Sequence, residues 1–266
     1  MSYGFVLVVN AAAIVALMVA TWRLSIRLGR ADIVDAVWPL GFVVVGWLTW
    51  LIADGATDRK DVLVTMVTLW GVRLSAYLAW RMRGTPEDRR YQAMRRRHGD
   101  RFDRVSLGTV FLFQGALMWI VSLPLQIGQV PESPARIGLA GVFALALYGV
   151  GMFFEAVGDW QLARFKAKPW NRGKVLDTGL WRYTRHPNYF GDFCVWWGVF
   201  LVAATTTAGM ASIPGPIVMT VLLMRVSGVP LTERHLAKRE GYEAYVARTN
   251  AFFPGPPSEA RAADWP

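Results

Sequence analysis

Apolar runs of about 20 residues, separated by charged segments, constrain this chain more than any other feature of its sequence. A bilayer core about 30 Å thick requires about 20 apolar residues per helix, so each run can cross it. The runs cover residues 3–22, 36–53, 62–80, 107–127, 137–157, 189–206 and 208–224. With 54% hydrophobic residues and thirteen Trp, the pattern predicts an all-α integral membrane protein with about seven transmembrane helices.

The first and the last runs need separate interpretation. Run 3–22 lacks a basic start and a small-residue cleavage site, so it predicts a retained helix rather than a signal peptide. Three Thr and Gly209 leave only a tight turn between the last two runs. These two runs therefore form either two short spans or a helical hairpin.

The basic residues are distributed very unevenly between the two sides predicted for seven spans. Twenty-five Lys and Arg fall on the side that carries the C-terminus, against three on the other side, Arg59, Lys60 and Arg136. Because Lys and Arg accumulate in cytoplasmic loops, we expect the N-terminus outside and the C-terminus in the cytosol. The sequence therefore predicts a multi-pass membrane protein, which would lie in the cytoplasmic membrane if the protein is bacterial.

The net charge of +10 allows two interpretations of the basic run 95–97. It either attracts anionic lipid headgroups or binds a polyanionic small molecule on the cytosolic face. Nucleic acid is not expected as a partner, because no nucleic-acid-binding fold accompanies the charge. Cys194 is the single cysteine, so no disulfide within the chain and no metal site is predicted.

The most informative segment covers residues 170–197. Asp177, Thr178 and Gly179 predict a turn, and Pro187 is suited to the first position of a helix. Arg185, His186 and their neighbours then surround a helix N-terminus, where free N–H groups and guanidinium donors can bind phosphate or carboxylate. The alternative is an interfacial belt of Arg, Tyr and Trp at the headgroup level.

The sequence RHPNYFGD at residues 185–192, preceded by GLW at 179–181 and followed by Trp196, resembles the C-terminal signature of membrane sterol reductases. The spacing of polar residues from Asp159 to Glu233 resembles that of the steroid 5α-reductases and the bacterial DUF1295 proteins grouped with them. The resemblance covers residues 150–253 well and the first 150 residues weakly.

The resemblance implies NADPH-dependent reduction of a carbon–carbon double bond in a steroid or another enone lipid, with the cofactor site on the cytosolic face. It implies residues 1–150 on the substrate side and 151–253 as the cofactor-binding part of a single membrane domain 1–266. Residues 254–266, which begin with Pro254, Pro256 and Pro257, are predicted to form a disordered tail. The residues that it places at the cofactor are Asp159, Lys174, Arg185, His186, Asn188, Tyr189, Asp192, Trp196, Arg225 and Glu233. Residues 232–250, with Thr232 as the N-cap, predict a cytosolic helix before that tail.

Reduction of an enone also needs a donor for the carbonyl oxygen, because the added hydride pushes negative charge onto that atom. In 5α-reductases a carboxyl and a tyrosine from the N-terminal helices supply it, and here the candidates are Asp35 and Tyr77, with Asp32 and Tyr91 in reserve. The alternative is that Asp32 and Asp35 neutralise Arg27 and Arg30. Arg73 lies within an apolar run, where a charge is costly, so it is expected to point inward.

Two rival functions remain open. The Arg-His-Pro-x-Tyr-x-Gly pattern also resembles that of membrane methyltransferases of the isoprenylcysteine or phospholipid type, which use S-adenosylmethionine. A transporter or lipid-binding protein would show paired half-helices in two repeats, and no repeat is visible. No obligatory protein partner is evident from the sequence, and the expected partners are the lipid substrate and membrane lipid.

Overall fold

The computed structural model describes residues 1–258, and helices dominate this part of the chain. No strand occurs within it. The helices are α1 Tyr3–Leu28, α2 Ile33–Ile52, α3 Thr57–Met82, α4 Arg89–His98, α5 Phe102–Ser106, α6 Phe113–Val121, α7 Leu123–Ile127, α8 Gly138–Lys166, α9 Pro187–Ala203, α10 Thr207–Met210, α11 Pro214–Val221, α12 Val229–Leu236 and α13 Tyr242–Arg248. π-helical turns at Leu107–Leu112 and Leu222–Val226 connect α5 to α6 and follow α11.

Six helical stretches in the described residues are long and apolar enough to cross a membrane. They are α1, α2, α3, the stretch Arg89–Val121, α8 and the stretch Thr207–Leu236. Since lipid offers no partner to backbone N–H and C=O groups, helices of this length and composition are what a membrane permits. The six helices identify a multi-pass membrane protein.

The chain divides into two compact units, which we call the N-terminal unit and the C-terminal unit. The N-terminal unit comprises Met1–Val142 and Val199–Gly215, and the C-terminal unit comprises Phe143–Gly198 and the described residues from Pro216 onward. In the N-terminal unit, α2 packs on α3 at Gly71, where a Cβ would lie 2.7 Å from the carbonyl oxygen of Pro39. The missing side chain at Gly71 therefore allows the two backbones to approach closely.

In the C-terminal unit, α8 and α9 pack antiparallel through glycines on both helices. A Cβ on Gly151 would lie 2.6 Å from the carbonyl oxygen of Gly191, and a Cβ on Gly198 would lie 2.9 Å from that of Ala144. Gly158 faces the start of α9, with the Asn188 nitrogen 3.2 Å from where its Cβ would be. This close approach brings the polar side chains of α8 beside the signature segment.

The predicted helix over residues 232–250 is wrong in its extent. The segment forms α12 and α13, which are separated at Gly241, a residue with a φ of 75°. Only glycine adopts this left-handed conformation at little cost, so the helix cannot continue through it. Thr232 lies inside α12, and Gly228 is the N-cap.

The segment after α13 remains hydrogen-bonded over the first part of the predicted tail 254–266. The Gly255 N–H donates to the carbonyl oxygen of Tyr183, and the Ser258 N–H donates to that of Arg248. Residues 259–266 of that predicted tail lie outside the described residues.

Candidate functional site

The signature segment begins α9, with Pro187 as its first residue as predicted. A proline fits there because the first turn of a helix leaves its N–H groups unbonded in any case. His186, immediately before it, is 1% exposed. Its ring stacks on that of Tyr189 with centroids 5.5 Å apart, and the Tyr189 hydroxyl lies 3.0 Å from that of Thr232. The signature and α12 therefore share one polar cluster.

Glu233 joins the two basic side chains of the signature. Its Oε1 lies 2.7 Å from Nη2 of Arg185 and 3.3 Å from Nε2 of His186. Arg185 also donates through Nη1 to the carbonyl oxygen of Thr249 at 2.8 Å. The guanidinium of Arg185 is thus engaged by protein groups, and it fixes α12 and the end of α13 against the signature.

The C-terminal segment 249–255 forms a strap across the signature. The Arg185 N–H donates to the carbonyl oxygen of Asn250 at 2.9 Å, and the Thr184 hydroxyl donates to that of Phe252 at 2.7 Å. Phe252 is buried and packs edge-to-face on Phe190 and Phe193. The strap therefore holds both the backbone and the first turn of α9 in place.

Tyr245 attaches α13 to the segment that precedes the signature. Its hydroxyl donates to the carbonyl oxygen of Trp181 at 2.6 Å, and the side chain is buried. Burial raises the pKa of Tyr245 well above its usual range because the charged phenolate is disfavoured away from water. The hydroxyl therefore stays a donor at every physiological pH.

Carboxyl and amide groups from α8 and α9 form the inner part of the site. Asp159 is 4% exposed, and its Oδ1 accepts a 3.2 Å hydrogen bond from Nδ2 of Asn188. Asp192 lies one turn further along α9 and is half-buried, and Trp196 follows one turn later, fully buried. The structure thus brings Asp159 and Asn188 into contact, as well as Arg185, His186 and Glu233.

Glu155 is a member of this region that the sequence reasoning did not identify. It lies one turn before Asp159 on α8 and is 2% exposed, and a Cβ on Gly191 would lie 2.7 Å from its Cβ. Residues four apart share a helix face, so the two carboxyls belong to one face of α8. The signal was present, because Glu155 is an acidic residue inside an apolar run, as Arg73 is a basic one.

Lys174 and Arg225 are not part of this buried group. Both side chains are exposed, and the carbonyl oxygen of Lys174 accepts a hydrogen bond from Nη1 of Arg239 at 2.8 Å. Their exposure suits contact with a solvated anion, whereas the buried carboxyls suit hydroxyl and amide donors.

The N-terminal unit holds a second candidate group around Asp35, in the first turn of α2. The Tyr91 hydroxyl donates to Oδ1 of Asp35 at 2.9 Å, and Nη2 of Arg90 lies 3.0 Å from Oδ2. Nε2 of Gln114 donates to the Tyr91 hydroxyl at 3.3 Å. Tyr91, named from the sequence only in reserve, is therefore the tyrosine that bonds to Asp35.

Asp32 has a structural role, which the sequence analysis gave as the alternative to a role in catalysis. Its two carboxylate oxygens accept from Nε and Nη2 of Arg30 at 2.8 and 2.9 Å, and Oδ2 also accepts from the Asp88 N–H at 2.9 Å. Asp32 therefore neutralises Arg30, as the alternative interpretation predicted, and it ties the loop before α4 to the start of α2. The other part of that interpretation is wrong, because Asp35 pairs with Arg90.

A cavity of about 220 Å³ adjoins these groups, and Asp32, Asp35, Arg81 and Asp88 are among its lining residues. Tyr77 lies half-buried on α3, with its ring 6.0 Å from that of Trp80 and with the Arg81 guanidinium 5.7 Å from its centroid. Arg73, one turn earlier on α3, is also half-buried. Of the two predicted catalytic residues, Asp35 thus lines the cavity.

Membrane-length helices, with buried carboxyl side chains on α8 and half-buried polar side chains on α9, define a helical multi-pass membrane protein that carries a polar site. The chain belongs to the family described as "Protein of unknown function (DUF1295)", whose model matches residues 21–249. This match confirms the part of the predicted resemblance that concerns the DUF1295 proteins. No curated protein and no solved structure matches the chain.

Proposed function

We propose that this protein is an NADPH-dependent reductase that reduces the carbon–carbon double bond of an enone lipid, with a 3-oxo-Δ4 steroid as the model substrate. The observation that carries the proposal is the Asp159–Asn188 contact, with Glu155 and Asp192 on the same two helices. Ionisable groups buried in membrane spans are costly and mark functional sites.

The residues of the C-terminal unit fit the chemistry of NADPH. Its ribose hydroxyls and carboxamide N–H groups require acceptors, which Asp159, Asp192 and Asn188 offer. His186 adds a buried Nδ1 that has no hydrogen-bond partner in residues 1–258, and a buried polar atom of this kind is usually paired with a water or a ligand. The exposed side chains of Lys174 and Arg225 would hold the phosphates, as basic side chains do in other phosphate-binding sites.

The interactions of Arg185 and Glu233 favour a positioning role for both residues over direct contact with the cofactor. Because each is engaged by the other and Arg185 also by the strap, they would orient His186 rather than bind the phosphates. NADPH supplies the hydride that adds to the β-carbon of the enone. The remaining requirements of the reaction, a donor to the carbonyl oxygen and a proton for the α-carbon, fall to side chains of the protein.

The Asp35–Tyr91 pair is suited to the first of these requirements. A protonated Asp35 can donate to the Tyr91 oxygen, which frees the phenolic proton to hydrogen-bond to the substrate oxygen as negative charge develops there. Gln114 holds the same phenolic oxygen from another direction. The enolate is then protonated at the α-carbon, which completes the addition of one hydride and one proton.

We propose seven transmembrane spans with the N-terminus outside. α9 is the span that is added to the six long apolar stretches. Its 17 residues lie at the lower limit for crossing a bilayer, and seven crossings leave 25 basic residues on the side of the C-terminus. Cysteines introduced by Asp58→Cys and Arg96→Cys test the orientation with a membrane-impermeant maleimide. Labelling of Arg96→Cys, and not of Asp58→Cys, on intact cells would contradict it.

Cofactor binding by the purified protein tests the reaction class. We expect NADPH to quench the Trp fluorescence of the wild type, and Asn188→Ala and Asp192→Ala to abolish this quenching. Asn171→Ala serves as the control, because Asn171 lies in a short 3₁₀ turn of the same unit and its side chain donates to the carbonyl oxygen of Phe165. Binding of S-adenosylmethionine without NADPH would overturn the reductase proposal in favour of a methyltransferase.

A further inference from the structure

A groove on the outer face of α1 is separate from both groups described above. It is open on one side, has a volume of about 780 Å³ and is lined by residues of α1. Its apolar lining consists of small and branched residues, Ala12, Val15, Ala16, Val19, Ala20 and Leu24. Arg23 and Arg27 line the same groove at one end, one helical turn apart on a single face.

The two guanidinium groups at this end have no carboxylate partner. In residues 1–258, Arg30, Arg90 and Arg95 of the same unit each lie within 4 Å of an Asp or Glu oxygen, whereas Arg23 and Arg27 do not. Both side chains are exposed. Two adjacent unpaired guanidiniums at the end of an apolar groove complement a molecule with an apolar chain and an anionic end.

The dimensions of the groove match one leaflet of a membrane. From Ala12 to Arg23 the helix rises about 17 Å, which is close to half of a hydrocarbon core of about 30 Å. Arg27 lies about 6 Å further along, at the depth of the headgroups. Trp22, whose Nε1 donates to the carbonyl oxygen of Asp103 at 2.7 Å, has the position expected of an interfacial aromatic residue.

We propose that this groove is a binding site for one anionic phospholipid, with an acyl chain along the small residues and the phosphodiester at Arg23 and Arg27. A second copy of the chain fits less well. In a two-fold dimer the same surface faces itself, so Arg23 and Arg27 would meet their own counterparts, and like charges in contact are unfavourable.

Native mass spectrometry of the full chain in mild detergent tests the site with two probes, phosphatidylglycerol and phosphatidylcholine with identical acyl chains. We expect phosphatidylglycerol to bind about 30-fold more tightly than phosphatidylcholine, as two basic contacts of about 1 kcal/mol each would provide. The double variant Arg23→Gln with Arg27→Gln should remove this preference. Ala16→Phe, which fills the groove, should weaken the binding of both lipids.

The double variant Lys168→Gln with Arg172→Gln is the matched control, because it removes the same charge from exposed residues outside the groove. We expect it to bind both lipids as the wild type does. An equal loss of preference in this control, or normal lipid binding by Ala16→Phe, would overturn the proposal. A lipid-free dimer that Ala16→Phe dissociates would assign the groove to a second copy instead.

Discussion

The Tyr91 hydroxyl donates a 2.9 Å hydrogen bond to Oδ1 of Asp35, which links α4 to the first turn of α2. Arg90 holds the other carboxylate oxygen of Asp35. Two consecutive residues of α4 therefore fix both oxygens of one carboxyl group. This geometry makes Tyr91, rather than Tyr77, the better candidate for the tyrosine that acts with Asp35.

Replacement of Tyr91 by Phe tests this assignment. We expect Tyr91→Phe to slow turnover of a 3-oxo-Δ4 steroid by about 10²- to 10⁴-fold, the range for loss of a positioned proton donor, and to leave NADPH binding unchanged. Tyr77→Phe is the matched control and should have a much smaller effect. Steady-state rates for the two variants decide the question, and a larger loss in Tyr77→Phe would restore Tyr77 as the catalytic residue.

Glu155→Gln tests whether the buried carboxyl on α8 serves the site. The change keeps the shape of the side chain and removes an ionisable group from a membrane span, so the thermal midpoint should hold or rise. NADPH affinity should fall by about tenfold, the effect of one hydrogen bond with a charged partner. Fluorescence titration and thermal unfolding measure both quantities. A lower thermal midpoint with unchanged affinity would show that Glu155 is only structural.

The Glu233 contacts predict a specific loss of stability. Glu233→Gln removes the charge that Arg185 and His186 share, and Arg185 is only 11% exposed, so unfolding should become easier by about 2 kcal/mol. Glu240→Gln, at an exposed position beyond α12, is the control. Limited proteolysis should cut the strap 249–255 faster in Glu233→Gln. Equal cleavage rates in the two variants would argue against the attachment.

The charge of Asp88 should make the stability of the protein depend on pH. Burial opposes its charge, but the hydrogen bonds and the positive charge of Arg90 outweigh that effect and hold the pKa of Asp88 below its usual value. A lowered pKa contributes stability above the pKa of the unfolded chain, about 3.9, and this contribution is lost as the pH falls through the folded value. Asp88→Asn should therefore be less stable than the wild type at pH 7.

Thermal unfolding from neutral to strongly acidic pH measures the Asp88 effect. Asn retains the N-cap of α4, in which the side chain of Asp88 accepts from the Arg90 N–H at 2.8 Å, so this substitution isolates the charge. The difference from the wild type should shrink as the pH falls below about 4 and disappear only below the folded pKa of Asp88. Asp88→Ala removes the cap as well and should lose about 1 kcal/mol at neutral pH. A constant difference for Asp88→Asn at every pH would contradict the prediction.

The membrane helices could be predicted from the sequence because an apolar run of sufficient length has few other stable forms. Run 62–80 lies within α3, and Pro187 begins α9 as expected. The sequence does not indicate the helix break at Gly241, because glycine occurs both inside helices and at their ends. Only the observed φ of 75° separates the two cases.

The site was less predictable than the helices because its contacts join distant parts of the chain. Tyr91 and Asp35 are 56 residues apart, and Arg185 and Glu233 are 48 apart. Such pairs depend on helix packing that no local pattern encodes. Glu155 differs, because a charged residue in an apolar run is visible in the sequence, and the same argument that identified Arg73 applies to it.

The strap across the signature also has a consequence for the biosynthesis of the protein. Thr249, Asn250 and Phe252 hold Thr184 and Arg185 in place, yet the ribosome adds them more than 60 residues later. The signature can enter the bilayer while translation continues, but it gains these contacts only after residues 249–252 have been made. The signature is therefore inserted before its site is complete, and a chain cut short before Thr249 lacks these contacts.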